Sequence, residues 1–363
     1  MRKILIISSL FMAALVMGSC YKDEELDTNA DILEAYIPSE YLKTDPIITN
    51  TSIEFKVKSN TDLRKQSPFF IISPNATMDP PNGTTRDFSN AQKVTITAQD
   101  PTWKKTYLVS FTTDELSTSY TFNNAELTNN NRYYRFFEYG SNGEKIYDWD
   151  SGNAGYVTIA GNLPPESYPT TTAPGRNGGL AVNMQTVYTS PIAEFTKSPI
   201  AAGNLFIGSF QFAGISRPLK STRFGLPYEG DMPKSLRGFF KYKAGDVVTD
   251  KYFNPVTGKK DYFDIYAILF ESRDKENYLD GTHKFKDPRN VAIARVPQEQ
   301  RIETDKWTEF EVPFEFVNGK KFDPTKSYVL AIVMTSSIEG DEFTGAIGST
   351  LIVDEIELVY DNK

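Results

Sequence analysis

The chain has 363 residues, 47 acidic and 39 basic, with a single histidine and a single cysteine, for a formal charge of −8. An acidic chain without a basic tract is not built to bind nucleic acid or anionic lipid. One cysteine excludes an internal disulfide, and one histidine, His283, excludes a His-rich metal site and leaves a Ser-His-Asp triad only one place to form. Aromatic residues, mostly Phe and Tyr, suit strands, while 23 Gly, 21 Pro and the lack of a sustained 3.6-residue apolar period speak against long helices.

In chain order the first element is a targeting segment. Arg2 and Lys3 precede an apolar run from Ile4 to Met17, interrupted by Ser8 and Ser9, and then the small residues Gly18 and Ser19. The run is too short for the ~30 Å hydrocarbon core of a membrane, and its order is that of a secretory signal. Cys20 follows at once. Met17-Gly18-Ser19-Cys20 resembles the bacterial lipoprotein signal, roughly Leu-Ala-Gly-Cys, and departs from it at the first position. The resemblance implies that residues 1–19 are removed, that the Cys20 thiol takes a diacylglycerol, and that the chain is anchored in the outer membrane. The alternative is a signal peptide with an incidental cysteine. Two or more acyl chains anchor durably where one is marginal. Lys22-Asp23-Glu24-Glu25 resembles the surface-export signal of Bacteroidetes lipoproteins and implies a body facing the cell exterior. From charge alone, residues 20–30 are a solvated acidic tether. Loss of residues 1–19, which carry Arg2 and Lys3 and no acidic residue, takes the formal charge from −8 to −10.

Residues 31–115 read as a small Ig-like β-sandwich. Ser52–Lys58 alternates strictly, with Ile53, Phe55 and Val57 on one face of a half-buried strand. Pro68–Ile72, Lys93–Thr97 and Lys105–Phe111 are further strands, the last two joined by a turn at Asp100-Pro101. Between them, "ISPNATMDPPNGTTRDFSN" carries Ser-Pro-x-Ala, then Pro-x-x-Gly, then Asp-Phe. This order resembles the Ig-like modules that open many Bacteroidetes surface lipoproteins, which implies a spacer. The polar stretch Thr113–Ser119 marks the boundary.

Residues 120–361 read as a larger all-β domain. "LRGFFKYKAGD", "YFDIYAILFES", "WTEFEVPFEF", "SYVLAIVMTSS" and "STLIVDEIELVY" are strands. Tyr328–Met334 is apolar on both faces and is expected at the centre of a two-layer core. Asn162–Leu180, rich in Pro, Gly and Thr, reads as a long loop, of the kind that is usually functional or mobile. Many strands and few helices predict a jelly-roll β-sandwich. The pieces "GFFKYKAGD", "DYFDIYAILFES", "WTEFEVPFEF" and "GDEFTGAIGSTLIVDEIELVY" stand in the order found in the putative carbohydrate metabolism domain of Bacteroidetes lipoproteins. The resemblance covers about residues 120–360. It implies a jelly roll shaped like carbohydrate-binding modules and a link to glycan use, and brings no established reaction.

Candidate residues follow from chemistry. Trp149, between Asp148 and Asp150, offers a ring face for a sugar, the alternative being core packing. Tyr156 lies in the same stretch, and Arg176 and Asn177 in the Asn162–Leu180 loop are weaker polar candidates. Asp264 shares a strand face with Tyr262, Tyr266 and Phe270, either as an inward carboxylate in an aromatic cleft, or paired with a nearby Arg or Lys or lying at a strand end. In Thr350–Tyr360, alternation places Ile352, Asp354, Ile356 and Leu358 on one face, which the polar Glu355 and Glu357 opposite suggest is the buried one. A buried carboxylate must be paired or bind a cation. Jelly-roll carbohydrate modules often use such an Asp on a structural calcium, with Asn123 and Glu126 on an adjoining opening strand as further ligands; a salt bridge is the alternative.

These features point to a monomeric surface lipoprotein that binds a neutral or amino-sugar glycan. A glycoside hydrolase with paired carboxylates, or a structural adhesin, are the competing readings. Cys20→Ser is expected to abolish labelling by a fatty-acid analogue and release the protein from membranes, while Ala at residues 22–25 should keep the label and lose protease accessibility on whole cells. Labelling that persists in the Ser variant would overturn the anchor.

Overall fold

Runs of β-branched and aromatic residues with period-two alternation are realised as strands throughout, and a single short α-helix, Asn153–Tyr156, accompanies them among the described residues. The computed structural model describes residues 26–361 apart from 40, 43–44, 58–60, 114–115, 129–130, 141–142, 144, 160–161, 191–196, 215–216 and 274–276. Cys20 and the 22–25 stretch lie outside the described residues.

The first sandwich has one sheet of Ile47–Ile48, Ser52–Lys56, Lys104–Thr112, Gln92–Thr97 and Thr77–Asp79, in that order. Ser52–Lys56 runs parallel to Lys104–Thr112, and the other pairs are antiparallel. Ile32–Tyr36 pairs with Phe69–Ile72 as a separate two-stranded sheet. Ile53, Phe55, Val57, Phe70, Val94, Ile96 and Val109 share the core between them, with Phe55 stacked on Phe111 at 4.7 Å.

The second sandwich has two antiparallel sheets. One orders Trp149–Asp150, Asn204–Phe210, Tyr328–Thr335, Asp264–Glu271, Asn290–Arg295 and Glu315–Phe316, with Thr222–Phe224 and Leu226–Tyr228 attached at the side. The other orders Thr170–Pro174, Leu180–Gln185, Thr350–Val359, Ser235–Lys243 and Thr304–Pro313, with Ser119–Tyr120 beside Thr350–Val359. From Leu180 onward the chain crosses repeatedly from one sheet to the other, the connectivity of a jelly roll. Leu205, Ile207, Leu236, Ile265, Ala267, Leu330, Ile332, Val353 and Ile356 fill the space between the sheets. Each fully buried aliphatic side chain of this kind contributes ~1.5–3 kcal/mol.

The first sheet is apolar on its other face as well. Phe206, Phe224, Tyr266, Ile268, Phe270, Val329, Ala331 and Val333 form a second buried layer, capped by Leu279 and Phe285 from a connecting segment. Strands apolar on both faces must be covered on both, and this outer layer is where the candidate site lies.

Three expectations about elements are corrected. Asn162–Leu180 is not a loop throughout: Thr170–Pro174 pairs with Leu180–Gln185 as an edge hairpin. Its three consecutive threonines favour a strand, and Pro174 is tolerated because the strand is at an edge. The opening strand beside Thr350–Val359 is Ser119–Tyr120, whereas Ala125–Thr128 pairs with Tyr133–Phe136. Ser52–Lys56 is not half-buried, because Glu54 and Lys56 on its second face are buried too.

The reason is a contact between the sandwiches. Lys56 Nζ lies 2.6 Å from Asp148 Oδ1, with both side chains buried, and Asp148 Oδ2 accepts from the Tyr120 hydroxyl at 3.2 Å. Burial acts to lower the Lys56 pKa, but the Asp148 and Glu54 carboxylates outweigh it and leave it raised. Removing one partner strands the other charge in a desolvated site. Asp148→Ala is therefore expected to cost ~3–5 kcal/mol in urea unfolding, and the Lys56→Met/Asp148→Leu pair much less. A cost under about 1 kcal/mol for Asp148→Ala would show that the contact does not join the two sandwiches.

Candidate functional site

Tyr266 and Asp264 project from the strand Asp264–Glu271 onto the outer face of the larger sheet. They line a cavity of about 200 Å³ with Val333 and Thr335 from the neighbouring strand and Asn204, Phe206 and Phe210 from the strand beyond it. Pro218, Leu219 and Gly281 from connecting segments, and Ser337, Gly340, Asp341 and Phe343 from the turn after Tyr328–Thr335, complete it. Pro218, Leu219, Asp341 and Phe343 also line an outer pocket of about 660 Å³, with Arg217, Lys220, Lys251 and Tyr252, so the two share a wall. Tyr252 is 53% exposed there.

The polar wall is held rigidly. Asp264 is 3% exposed. Its oxygens accept from Arg295 Nε at 3.0 and 3.1 Å and from Arg295 Nη2 at 2.7 Å, and Arg301 Nη2 lies 3.1 Å away. The Arg295 guanidinium sits 4.2 Å from the Phe285 ring, which meets the Tyr266 ring edge-on at 4.7 Å. Burial, then the Asp264 and Asp341 carboxylates, push the Tyr266 phenol well above its ordinary range, so its hydroxyl keeps its proton as a donor. At the rim Phe343 adopts a left-handed backbone, φ 56°, rare for a bulky residue and common at binding sites.

Of the expected sugar-binding residues, only Asp264 and Tyr266 meet in this cavity. Trp149 is 1% exposed and packs at 4.9 Å against Tyr120 and 5.4 Å against Phe122. Its strand is hydrogen-bonded into the sheet, so the ring faces the core and no sugar can stack on it. Tyr156 is likewise buried, edge-on to Tyr168 at 5.4 Å. Tyr262 is half-buried and lines a separate cleft with Lys259, Lys260 and Glu339. Arg176 is outside the cavity, paired with Glu355 at 2.7 Å and lying 3.8 Å over the Phe239 ring, and Asn177 also donates to Glu355. His283 is exposed beside Thr282. Phe206, Phe210, Asp341 and Phe343 carry no sequence signal of a site: the first two lie in a strand apolar on both faces and the others in a turn, and only Asp341 is a reactive residue type.

The expected buried face of Thr350–Val359 is also corrected. Opposite Ser235–Lys243, Arg237 pairs with Glu357 but Phe239 pairs with Asp354, so one extra residue bulges out at Glu355, φ 52°. The bulge shifts the alternation. Leu351 and Val353 before it and Ile356 and Leu358 after it all reach the core. Asp354 is buried on the opposite face, under the hairpin turn, where it accepts from Arg176 N–H at 2.7 Å and Glu355 N–H at 2.9 Å. Asn123 accepts from Leu180 N–H at 3.0 Å in the same hairpin, and Glu126 is taken by Lys145 and Tyr147. The three expected calcium ligands are thus each engaged by the protein, and no group of three or more His, Cys, Asp or Glu able to hold a metal occurs among the described residues.

A model of the family described as "Putative carbohydrate metabolism domain" matches residues 121–359. The chain belongs to this family. A second model, SGBP N-terminal, matches residues 36–110 of this carbohydrate metabolism domain protein. A crystal structure from Bacteroides thetaiotaomicron VPI-5482, described as a putative glycoside hydrolase, is 43% identical with a TM-score of 0.87, over 94% of this chain and 99% of that one. Another from Bacteroides vulgatus ATCC 8482, described in the same words, is 35% identical with a TM-score of 0.62, over 68% of this chain and 98% of that one. No curated protein matches.

Burial raises the Asp354 pKa, with the two N–H donors acting against it. A carboxyl raised in the folded state contributes stability that is present below the unfolded value and lost as pH rises through the folded one. Asp354→Ala leaves two N–H groups without an acceptor, at ~1–3 kcal/mol, and should lower Tm at pH 7. The gap to the parent protein should widen as pH falls from neutral into the mildly acidic range. A gap that narrows on acidification would contradict the raised pKa, and a chelator that reproduces the loss in the parent protein would assign these oxygens to calcium.

Proposed function

We propose that this is a glycan-binding protein of the cell surface, lipid-anchored in the outer membrane through Cys20, whose sugar site is the cavity on the outer face of the larger sheet. The observation that carries the reading is a cavity that sets an aromatic floor against a polar wall of Asp264, Tyr266 and Asp341. A pyranose has the matching anatomy, with apolar C–H faces and a hydroxyl-bearing edge. The outer pocket, with its exposed Tyr252, gives an oligosaccharide room to continue. The family of the second domain and the SGBP match of the first support the same assignment. Among the described residues no helix is long and apolar enough to cross a membrane.

Hydrolysis is the second reading, favoured by one observation: two carboxylates, Asp264 and Asp341, line the same cavity. A glycosidase needs two, ~5–9.5 Å apart, one of them donating a proton to the leaving oxygen. Both Asp264 oxygens already accept from guanidinium groups, so the donor would have to be Asp341 and the supporting carboxylate Asp264.

Titration calorimetry over a glycan panel should find ligands with high-micromolar to millimolar affinity, about −4 to −6 kcal/mol. Tyr266→Phe and Asp341→Asn should each weaken binding by roughly three- to tenfold without lowering Tm, while Tyr262→Ala and Arg176→Ala should not. Release of reducing ends that disappears in Asp341→Asn would decide for the enzyme, and a folded protein that binds nothing would dismiss the glycan reading.

A further inference from the structure

The polar groups that line the inner cavity are unevenly available. Asn204 accepts from Gly152 N–H at 2.8 Å and donates to the Ala202 carbonyl at 3.1 Å. The Thr335 hydroxyl donates to the Ser337 carbonyl at 3.2 Å, and Ser337 Oγ donates to Asp261 at 2.6 Å. These side chains are partly engaged by the protein, and register sets Asn204 and Thr335 in one polar row with Asp264. Hydrogen bonding to a ligand falls to this row and to the Tyr266 hydroxyl beside it, and Asp264 is already largely occupied by its two arginines. The remaining surface is made by Phe206, Phe210, Leu219, Phe224, Val333 and Phe343.

A fully hydroxylated hexose carries hydroxyls around its whole ring. Bound here, it would turn one edge to the polar wall and press the others, unpaired, against hydrocarbon, which is costly. A ring that presents a methyl group on that side puts no hydroxyl against hydrocarbon and fills the apolar space; an acetamido group does so with its N–H and C=O turned to the polar row. We infer that the cavity selects a sugar bearing a methyl-terminated substituent, an acetamido or a 6-deoxy group, over the corresponding plain hexose. The inference rests on the glycan reading above and narrows it to the chemistry of one ring.

Calorimetry on matched pairs tests it with the full mature chain: N-acetylglucosamine against glucose, N-acetylgalactosamine against galactose, and L-fucose against L-galactose. At least one methyl-bearing sugar should bind about tenfold or more tighter than its partner. The pair that shows it tells the acetamido source from the 6-deoxy source. Leu219→Asn and Phe343→Tyr, which make the apolar wall polar, should each shrink that ratio, while Tyr266→Phe should weaken both members of a pair alike. Plain hexoses that bind as tightly as their methyl-bearing partners, or a ratio unmoved by both wall variants, would overturn the inference and leave glycan binding standing. A folded chain that binds no sugar in the panel would overturn both.

Discussion

The constraint on which the second domain depends is a sheet with no polar face. Asp264–Glu271 and Tyr328–Thr335 are buried almost from end to end, and their two faces feed two different apolar clusters. One face is covered by the opposing sheet. The other has no second sheet to cover it, so the chain uses connecting segments, which bring Leu219, Leu279, Phe285 and Phe343 over it. Irregular segments do not close-pack on a sheet as another sheet does. The space they leave is the cavity, so the site follows from the way the fold covers its own hydrophobic surface.

A carboxylate in such surroundings is stable only if it is paired and hydrogen-bonded. Asp264 meets this condition with Arg295 from the next strand and Arg301 from the turn that follows it. Arg301 is itself tied to the Val296 carbonyl, and Arg295 rests on Phe285 in the covering segment. The ion pairs that make the charge tolerable therefore also link the sheet to its cover. Tyr266 packs against Phe285 in the same arrangement, where burial and the nearby carboxylates keep its phenol protonated.

Much of the fold was legible in the sequence. The all-β class, the core strand around Tyr328–Met334 and the buried Asp264 follow from residue type and alternation, which are local properties. What was not legible is non-local. Alternation in Thr350–Val359 is broken by a bulge at Glu355, which depends on register with Ser235–Lys243. Glu54 and Lys56 look solvent-facing until the second sandwich supplies Asp148. Trp149 looks like a sugar platform because acidic residues flank it, yet its neighbours point elsewhere while the ring turns inward. Asp341 and Phe343 join the cavity through a turn that no periodicity announces.

The stretch around Trp149 joins the two sandwiches and the cavity mechanically. Asp148 holds Lys56 of the first sandwich, Trp149 fills the core of the second, and Asp150 accepts from Phe210 N–H at 2.7 Å on the cavity floor. Two residues on, Gly152 donates to Asn204, which lines the same cavity, and Gly155 lies so close to Phe210 that a Cβ there would meet its ring at 2.6 Å. Within eight residues of sequence, an interface charge, a core anchor and three supports of the cavity floor are in covalent series. A strand only two residues long cannot shift one of these contacts without shifting the others. The first sandwich is thus more than a spacer in physical terms: its buried lysine fixes one end of the segment whose other end positions Phe210.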